Sequence, residues 1–282
     1  VSNFDLRLVS SISMMFYNCY SLTSIDVSHF QTDNLQQMSY LFYNCGKLTS
    51  IDISNFNTKN VILADSLFSG CTSLKNIDLS NFRTKSISSM KETFMNCFSL
   101  EQLNLNYFDT SEVRTMNSLF RNCSKLKSID ISSFDTSIVT DMSHMFEHCS
   151  ELNSVNIEIL DTGFTKNFAY MFADCNNLKN LDKSKMMTSS ATDMSYMFYN
   201  CNSLLELDFS SFNTDMVTNM NYMFYSCKEI KNLNFTSFNT LKCKNFKEIF
   251  GECNEINISI NKENNAQLIS SSPSYIKFNY TV

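Results

Sequence analysis

Phe134-Asp135-Thr136-Ser137-Ile138-Val139-Thr140-Asp141-Met142-Ser143-His144-Met145-Phe146-Glu147-His148-Cys149 decides the fold, because its landmarks recur at a fixed step in both directions along the chain. Cys149 is one of ten cysteines spaced 26 residues apart: Cys19, Cys45, Cys71, Cys97, Cys123, Cys149, Cys175, Cys201, Cys227 and Cys253. Three residues before each stands a Phe, from Phe16 to Phe250, and three residues after each stands Leu or Ile, from Leu22 to Ile256. Thirteen residues after each of the first nine stands Thr, from Thr32 to Thr240. Only Cys243 falls outside the series. A period held without insertion or deletion is the mark of a solenoid, whose units bury their apolar faces only against their neighbours.

Within one unit, Leu22-x-x-Ile25-Asp26-Val27-Ser28 places Ile25 and Val27 on one side and Ser24, Asp26 and Ser28 on the other. That alternation predicts a short strand with one buried and one wet face. Thr32-x-x-Leu35-x-x-Met38-x-x-Leu41-Phe42-x-x-Cys45 then sets apolar residues three and four apart, the spacing of one face of a helix or 3₁₀ segment. Thr32 has the hydroxyl to satisfy backbone N–H groups where the chain turns towards that segment. The expected class is therefore α/β: a solenoid with one short parallel strand and one short helix or 3₁₀ segment per coil. Strands stacked about 4.8 Å apart would make an array roughly 45–50 Å long. Its core would hold ladders of like side chains, including a second Phe column through Phe4, Phe30, Phe56, Phe82, Phe108, Phe134, Phe212 and Phe238.

Composition narrows the function classes. With 22 Lys+Arg against 28 Asp+Glu the net charge is −6, which argues against general nucleic-acid binding. Four Gly and one Pro among 282 residues leave no room for Gly-rich phosphate loops or Pro-rich linkers. No apolar run approaches the ~18 residues of a membrane span.

The motif Phe-x-x-Cys-x-x-Leu-x-x-Leu resembles the BspA-like leucine-rich repeats. The longer unit of Phe134 to Cys149 resembles the 26-residue repeat of bacterial surface proteins, found in lipoproteins and surface proteins of mycoplasmas, Listeria and lactobacilli, with related arrays in some protists. The match runs over about residues 4 to 258. It implies a leucine-rich-repeat solenoid at the cell surface or secreted, with adhesion or recognition as the usual role, and it carries over no catalytic residue.

Two segments are expected: a solenoid over 1–256, opening in mid-unit at Phe4 and Val9, and a β-rich cap or the start of a following segment over 257–282. The stretch between Cys149 and Cys201 is the least regular, with Leu160 and Met186 in the second Phe column, Lys183 at an apolar strand position and extra Phe164 and Phe168.

Four constellations bear on chemistry. The cysteine column is expected to pack as buried thiols, since stacked neighbours aim their Cβ vectors the same way and disulfides need them to face each other. No C-x-x-C pair supports structural zinc, and Cys243 occupies a slot that elsewhere holds Val61, Val113 or Val217. His144-Met145-Phe146-Glu147-His148 spells H-x-x-E-H, but Met145 and Phe146 are repeat-column residues and a third ligand is wanting, so no metal and no cofactor is expected. Asp26, Asp52, Asp78, Asp130, Asp182 and Asp208 form a column on the wet strand face. Such a row either recruits Ca²⁺ or a basic or hydroxyl-rich partner, or is a solvated face bridged by its serines, the reading the sequence favours. Finally, the slots five and two residues before Cys carry Tyr40, Tyr43, Tyr170, Tyr196, Tyr199, Tyr222 and Tyr225, and stacking would gather Tyr170 to Tyr225 into one exposed aromatic patch. Asn122, Asn234, Asn257 and Asn279 begin N-x-S/T triplets, meaningful only in a eukaryotic secretory setting.

The reading that follows is a non-enzymatic recognition or adhesion module, presenting its strand face or its Tyr-bearing face to a protein or glycan on a cell surface or matrix. A structural spacer without a ligand of its own is the alternative.

Overall fold

The computed structural model describes residues 4–157, 160–181, 186–209 and 211–281. Through them the chain winds as a parallel-strand solenoid in which each residue lies beside its equivalent one repeat away. Parallel bridges join Ser11 to Gln37 to Leu63, and run from Ser89 through Thr115, Asp141, Asn167, Asp193 and Asn219 to Asn245. A second line of pairing follows the expected strands. Here β1 (Ser128–Ile129) pairs with β2 (Ser154–Val155), and β3 (Glu206–Asp208), β4 (Asn232–Phe235), β5 (Ile256–Asn261) and β6 (Ile276–Thr281) form a four-stranded parallel sheet. In other coils the same position is held by single bonds, such as Glu101 N–H to Lys75 C=O at 3.1 Å. Alternation sets the core face: β4 buries Leu233 and Phe235 and exposes Asn232 and Asn234.

The solenoid class stands as expected; of the helix or 3₁₀ segment expected in each coil, single 3₁₀-like turns form and no continuous helix does. Met38, Tyr40, Phe42 and Asn44 donate their N–H groups sideways to Leu63, Asp65, Leu67 and Ser69 of the next coil, at 2.7–3.0 Å. The residues between them, Leu41, Tyr43 and Cys45, bond back to the carbonyls of Met38, Tyr40 and Phe42 at 3.1–3.2 Å. Half the donors thus close 3₁₀-like turns and half form a ladder between coils. Left-handed residues prevent a helix from propagating: Tyr40 has φ 60° and Asn44 φ 57°, and the same two slots recur as Tyr170 and Asp174, then Tyr196 and Asn200. Apolar spacing could not separate the two structures, because the turns bury the same set: Leu35, Met38, Leu41, Phe42 and Cys45 are all 1% exposed or less. A chain of turns replaces the helix.

Helical structure appears among the described residues only past β5, as a 3₁₀ turn (Glu263–Asn265) and α1 (Ala266–Ser271). The register tightens there, with Asn232 paired to Asn257 and Ile256 to Ile276. Leu268 of α1 is fully buried, and Asn265 donates to the carbonyls of Phe238 and Asn261 at 2.8 Å.

Side-chain ladders tie coil to coil. Rings from Phe16 through Phe42, Phe68, Phe94, Phe120, Phe146, Phe172, Phe198 and Phe224 to Phe250 stack at 5.4–5.9 Å. Every cysteine of the series is a free thiol, and they do more than fill space. Cys45 Sγ donates to Phe16 C=O at 3.2 Å, Cys149 to Phe120 at 3.1 Å and Cys227 to Phe198 at 3.0 Å, each reaching back one coil. Burial pushes these thiols up, that of Cys149 to about 12, so they stay protonated donors. The buried threonines reach forward instead: Thr84 Oγ1 donates to Asp109 C=O at 2.9 Å and accepts the Asp109 N–H at 2.8 Å. Asparagines of the left-handed slot form a polar ladder, as where Asn122 Nδ2 donates to Asn96 Oδ1 at 2.6 Å.

One rung of the core is underfilled. The slot holding Met38, Met90, Met116 and Met142 holds Ala64 in its third coil, and Ala64 with Phe68, Met90 and Phe94 borders a void of ≈ 10 Å³.

Candidate functional site

The Asp column is occupied by its own backbone. Ser28 N–H and Oγ donate to Asp26 Oδ1 at 2.9 and 2.6 Å, and Ser54 does the same to Asp52 at 3.0 and 2.6 Å. Asp78 and Asp130 each accept the N–H of the serine two residues on at 2.9 Å. These are Asx turns, the chain reversals that follow each strand. The hydroxyl and N–H of Ser28 hold the Asp26 carboxyl below its ordinary value, as those of Ser54 do for Asp52. Neutral Asn does the same work, Asn104 accepting from Asn106 N–H at 3.0 Å. Asp182 lies outside the described residues. Asp208 is described only through its backbone, paired with Asn234. The same motif builds two more corners of the coil, at Asp109 with Ser111 and at Asp141 with Ser143.

The tyrosines do converge, in two stacked rows. Tyr170 stacks on Tyr196 at 4.3 Å and Tyr196 on Tyr222 at 4.8 Å, while Tyr199 stacks on Tyr225 at 5.2 Å. The rows touch edge to face, Tyr222 to Tyr225 at 5.6 Å. All five rings are half-buried, so the patch is less exposed than expected: stacking covers ring faces. Burial, then the neighbouring Tyr196, pushes the Tyr170 phenol up to about 12. The far face of Tyr225 lies on Gly251, where a Cβ would come within 2.7 Å of the ring. The far face of Tyr222 carries the Lys247 ammonium, 5.5 Å from its centroid. Tyr40 and Tyr43 belong to a separate cluster near the N-terminal end, with Tyr17 stacked on Tyr43 at 5.0 Å.

The H-x-x-E-H stretch closes the other end of the tyrosine row as an ion-pair cluster. Glu147 is buried, with Arg121 Nε 2.6 Å and His144 Nδ1 2.7 Å from its Oε2. His148 lies 3.5 Å from Asp174, and the His144 ring stacks on Tyr170 at 4.7 Å. Spacing makes the pair legible: Arg121 and Glu147 hold the same slot in successive coils. Burial works against the Glu147 charge, but the His144 hydrogen bond and the Arg121 charge outweigh it and hold the carboxyl below its ordinary 4.5. Glu147 therefore contributes its stability fully above that value and loses it as pH falls through the lower folded value. Between about pH 5 and about pH 3 the parent should lose more stability than Glu147→Gln, measured by urea unfolding at each pH.

The family model described as "Mycoplasma protein of unknown function, DUF285" matches residues 1–106, 88–206 and 167–277 in three overlapping stretches. The chain belongs to this family. The resemblance to BspA-like and 26-residue surface repeats stands with it. Among solved structures the chain is similar to a leucine-rich repeat protein from Bacteroides ovatus, at 14% identity and a TM-score of 0.35, with 88% of each chain covered. It is also similar to a leucine rich cell surface protein from Faecalibacterium prausnitzii, at 17% identity and a TM-score of 0.48, covering 97% of this chain and 77% of that one. No curated protein matches. Among the described residues, no helix is long and apolar enough to cross a membrane.

Proposed function

We propose that this solenoid is a non-catalytic recognition or adhesion module at a cell surface, and that its working face is the turn face bearing Tyr170, Tyr196, Tyr199, Tyr222 and Tyr225. The observation that carries the reading is that the rings are surplus to the fold. Another coil places Ser66 and Ser69 in the same two slots, yet it stacks with the same inter-coil ladder. Tyrosine also sits uneasily at φ 56–60° in Tyr170, Tyr196 and Tyr222, a backbone region that costs a bulky residue on the order of 1 kcal/mol. Large half-exposed rings held by packing give contact area at low entropic cost. The Asp column supports recognition less well, since each described carboxylate serves a turn of its own chain.

The test immobilises the purified solenoid and recovers partners from source cell surfaces and matrix. A Tyr196→Ser/Tyr199→Ser/Tyr222→Ser/Tyr225→Ser variant runs alongside. A partner held by the parent and lost by the variant is the expected result, and equal recovery would remove the tyrosine face from the reading. The spacer alternative draws on the unbroken Phe, Cys and Thr ladders, which make a stiff rod, and would be left standing if no partner were recovered.

A further inference from the structure

We infer that the open end of the tyrosine row, at Tyr222, is a seat for the cationic side chains of a basic protein segment, filled in the free protein by the tethered ammonium of Lys247. The inference rests on the recognition reading above and names the partner's chemistry. Two ends of the rows lie against groups of the neighbouring coil: Tyr170 against the His144 ring and Tyr225 against Gly251. Beside Tyr222 stands the exposed Lys247, whose Nζ lies 5.5 Å from the ring centroid. An ammonium there meets the negative face of the ring quadrupole.

The surroundings favour positive charge. Glu248 occupies the slot that continues the row after Tyr170, Tyr196 and Tyr222, and its carboxylate lies over Gly251, beside the Tyr225 ring. Glu252 stands exposed in the same coil. Hydrogen bonding to the Tyr222 hydroxyl, with the fields of Tyr222, Tyr196 and Glu248, raises the Lys247 ammonium above its ordinary value. A planar guanidinium or an ammonium from a partner can take the place of Lys247 on the ring while pairing with Glu248, and Lys247 swings to solvent on its flexible stem. Lys247 is exposed, so that exchange needs no backbone movement.

The test uses a fluorescent ten-residue peptide of alternating Arg and Ser, with a Glu/Ser peptide of equal length as control, and reads affinity by anisotropy at low and physiological salt. The parent should bind the Arg/Ser peptide and not the Glu/Ser peptide. Tyr222→Leu should weaken binding about tenfold. Lys247→Ala should tighten it about threefold or more by emptying the ring face, whereas Lys244→Ala, which removes the same charge from the same coil, should change it less than about twofold. The Lys247→Ala gain keeps the test independent of any folding defect in Tyr222→Leu. Equal effects of Lys247→Ala and Lys244→Ala, or no binding of the Arg/Ser peptide by any variant, would overturn the cation seat. If the tyrosine variant nevertheless loses a recovered surface partner, the recognition reading survives that failure.

Discussion

Phe120→Ala is expected to destabilise the solenoid by about 4 kcal/mol and to split its unfolding into two transitions. Phe120 is fully buried and sandwiched between Phe94 at 5.8 Å and Phe146 at 5.5 Å, so its removal opens a hole in two coil interfaces at once. Its carbonyl also accepts the Cys149 thiol at 3.1 Å, a bond that survives only if the backbone stays in place. In an array where each coil touches only its neighbours, weakening two adjacent interfaces near the middle uncouples the halves. Phe16 provides the contrast, with a single stacking partner, Phe42 at 5.4 Å, so Phe16→Ala should cost about half as much and preserve one transition. Urea unfolding followed by circular dichroism distinguishes the two, through both midpoint and slope.

Thr84→Val should cost about 2 kcal/mol with almost no change in volume. The hydroxyl of Thr84 is the partner of both the N–H and the C=O of Asp109, and it is 1% exposed, so water cannot replace it. Valine keeps the shape and leaves a donor and an acceptor of the next coil unpaired. Thr84→Ser keeps the hydroxyl and should recover most of the loss. Hydrogen exchange of the Asp109 amide gives the local reading: faster in Thr84→Val, near parental in Thr84→Ser. If valine is tolerated as well as serine, the threonine column is packing and not an inter-coil hydrogen-bond staple.

The coil register was legible in the sequence because a solenoid turns a period into a spatial column. Cys45 lies beside Cys71, and Phe42 stacks on Phe68 at 5.8 Å, as the spacing required. Between the helix and the 3₁₀ segment the spacing could not choose, for a physical reason: 3₁₀-like turns that bond alternately within and between coils bury the same three-and-four pattern that a helix would. The signal against it was present in Asn18, Asn44, Asn96, Asn122 and Asn200, all directly before Cys, because asparagine tolerates the left-handed region that those slots adopt. The threonine spacing points to donors at its own turn, whereas Thr84 reaches across to the next coil. The wet Asp column was legible as a column but not as turn chemistry, although Asp26-x-Ser28 and Asp52-x-Ser54 carry the Asx-turn pairing openly. Lys247 carries no periodic signal, because its slot, six residues before Cys, holds Ser143, Ala169, Ser195 and Asn221 in preceding coils. Only the stacked Tyr222 beside it makes that lysine informative.

The most direct test of the central claim, that the tyrosine rows and not the aspartate column form the working face, is partner recovery with two variants side by side. One is the four-tyrosine-to-serine variant. The other is Asp26→Asn/Asp52→Asn/Asp78→Asn/Asp130→Asn, which keeps every Asx turn, as Asn104 already does. The partner should be lost with the tyrosines and retained with the neutralised aspartates. A partner that stays with the tyrosine variant and leaves with the aspartate variant would contradict the account and move recognition to the strand face.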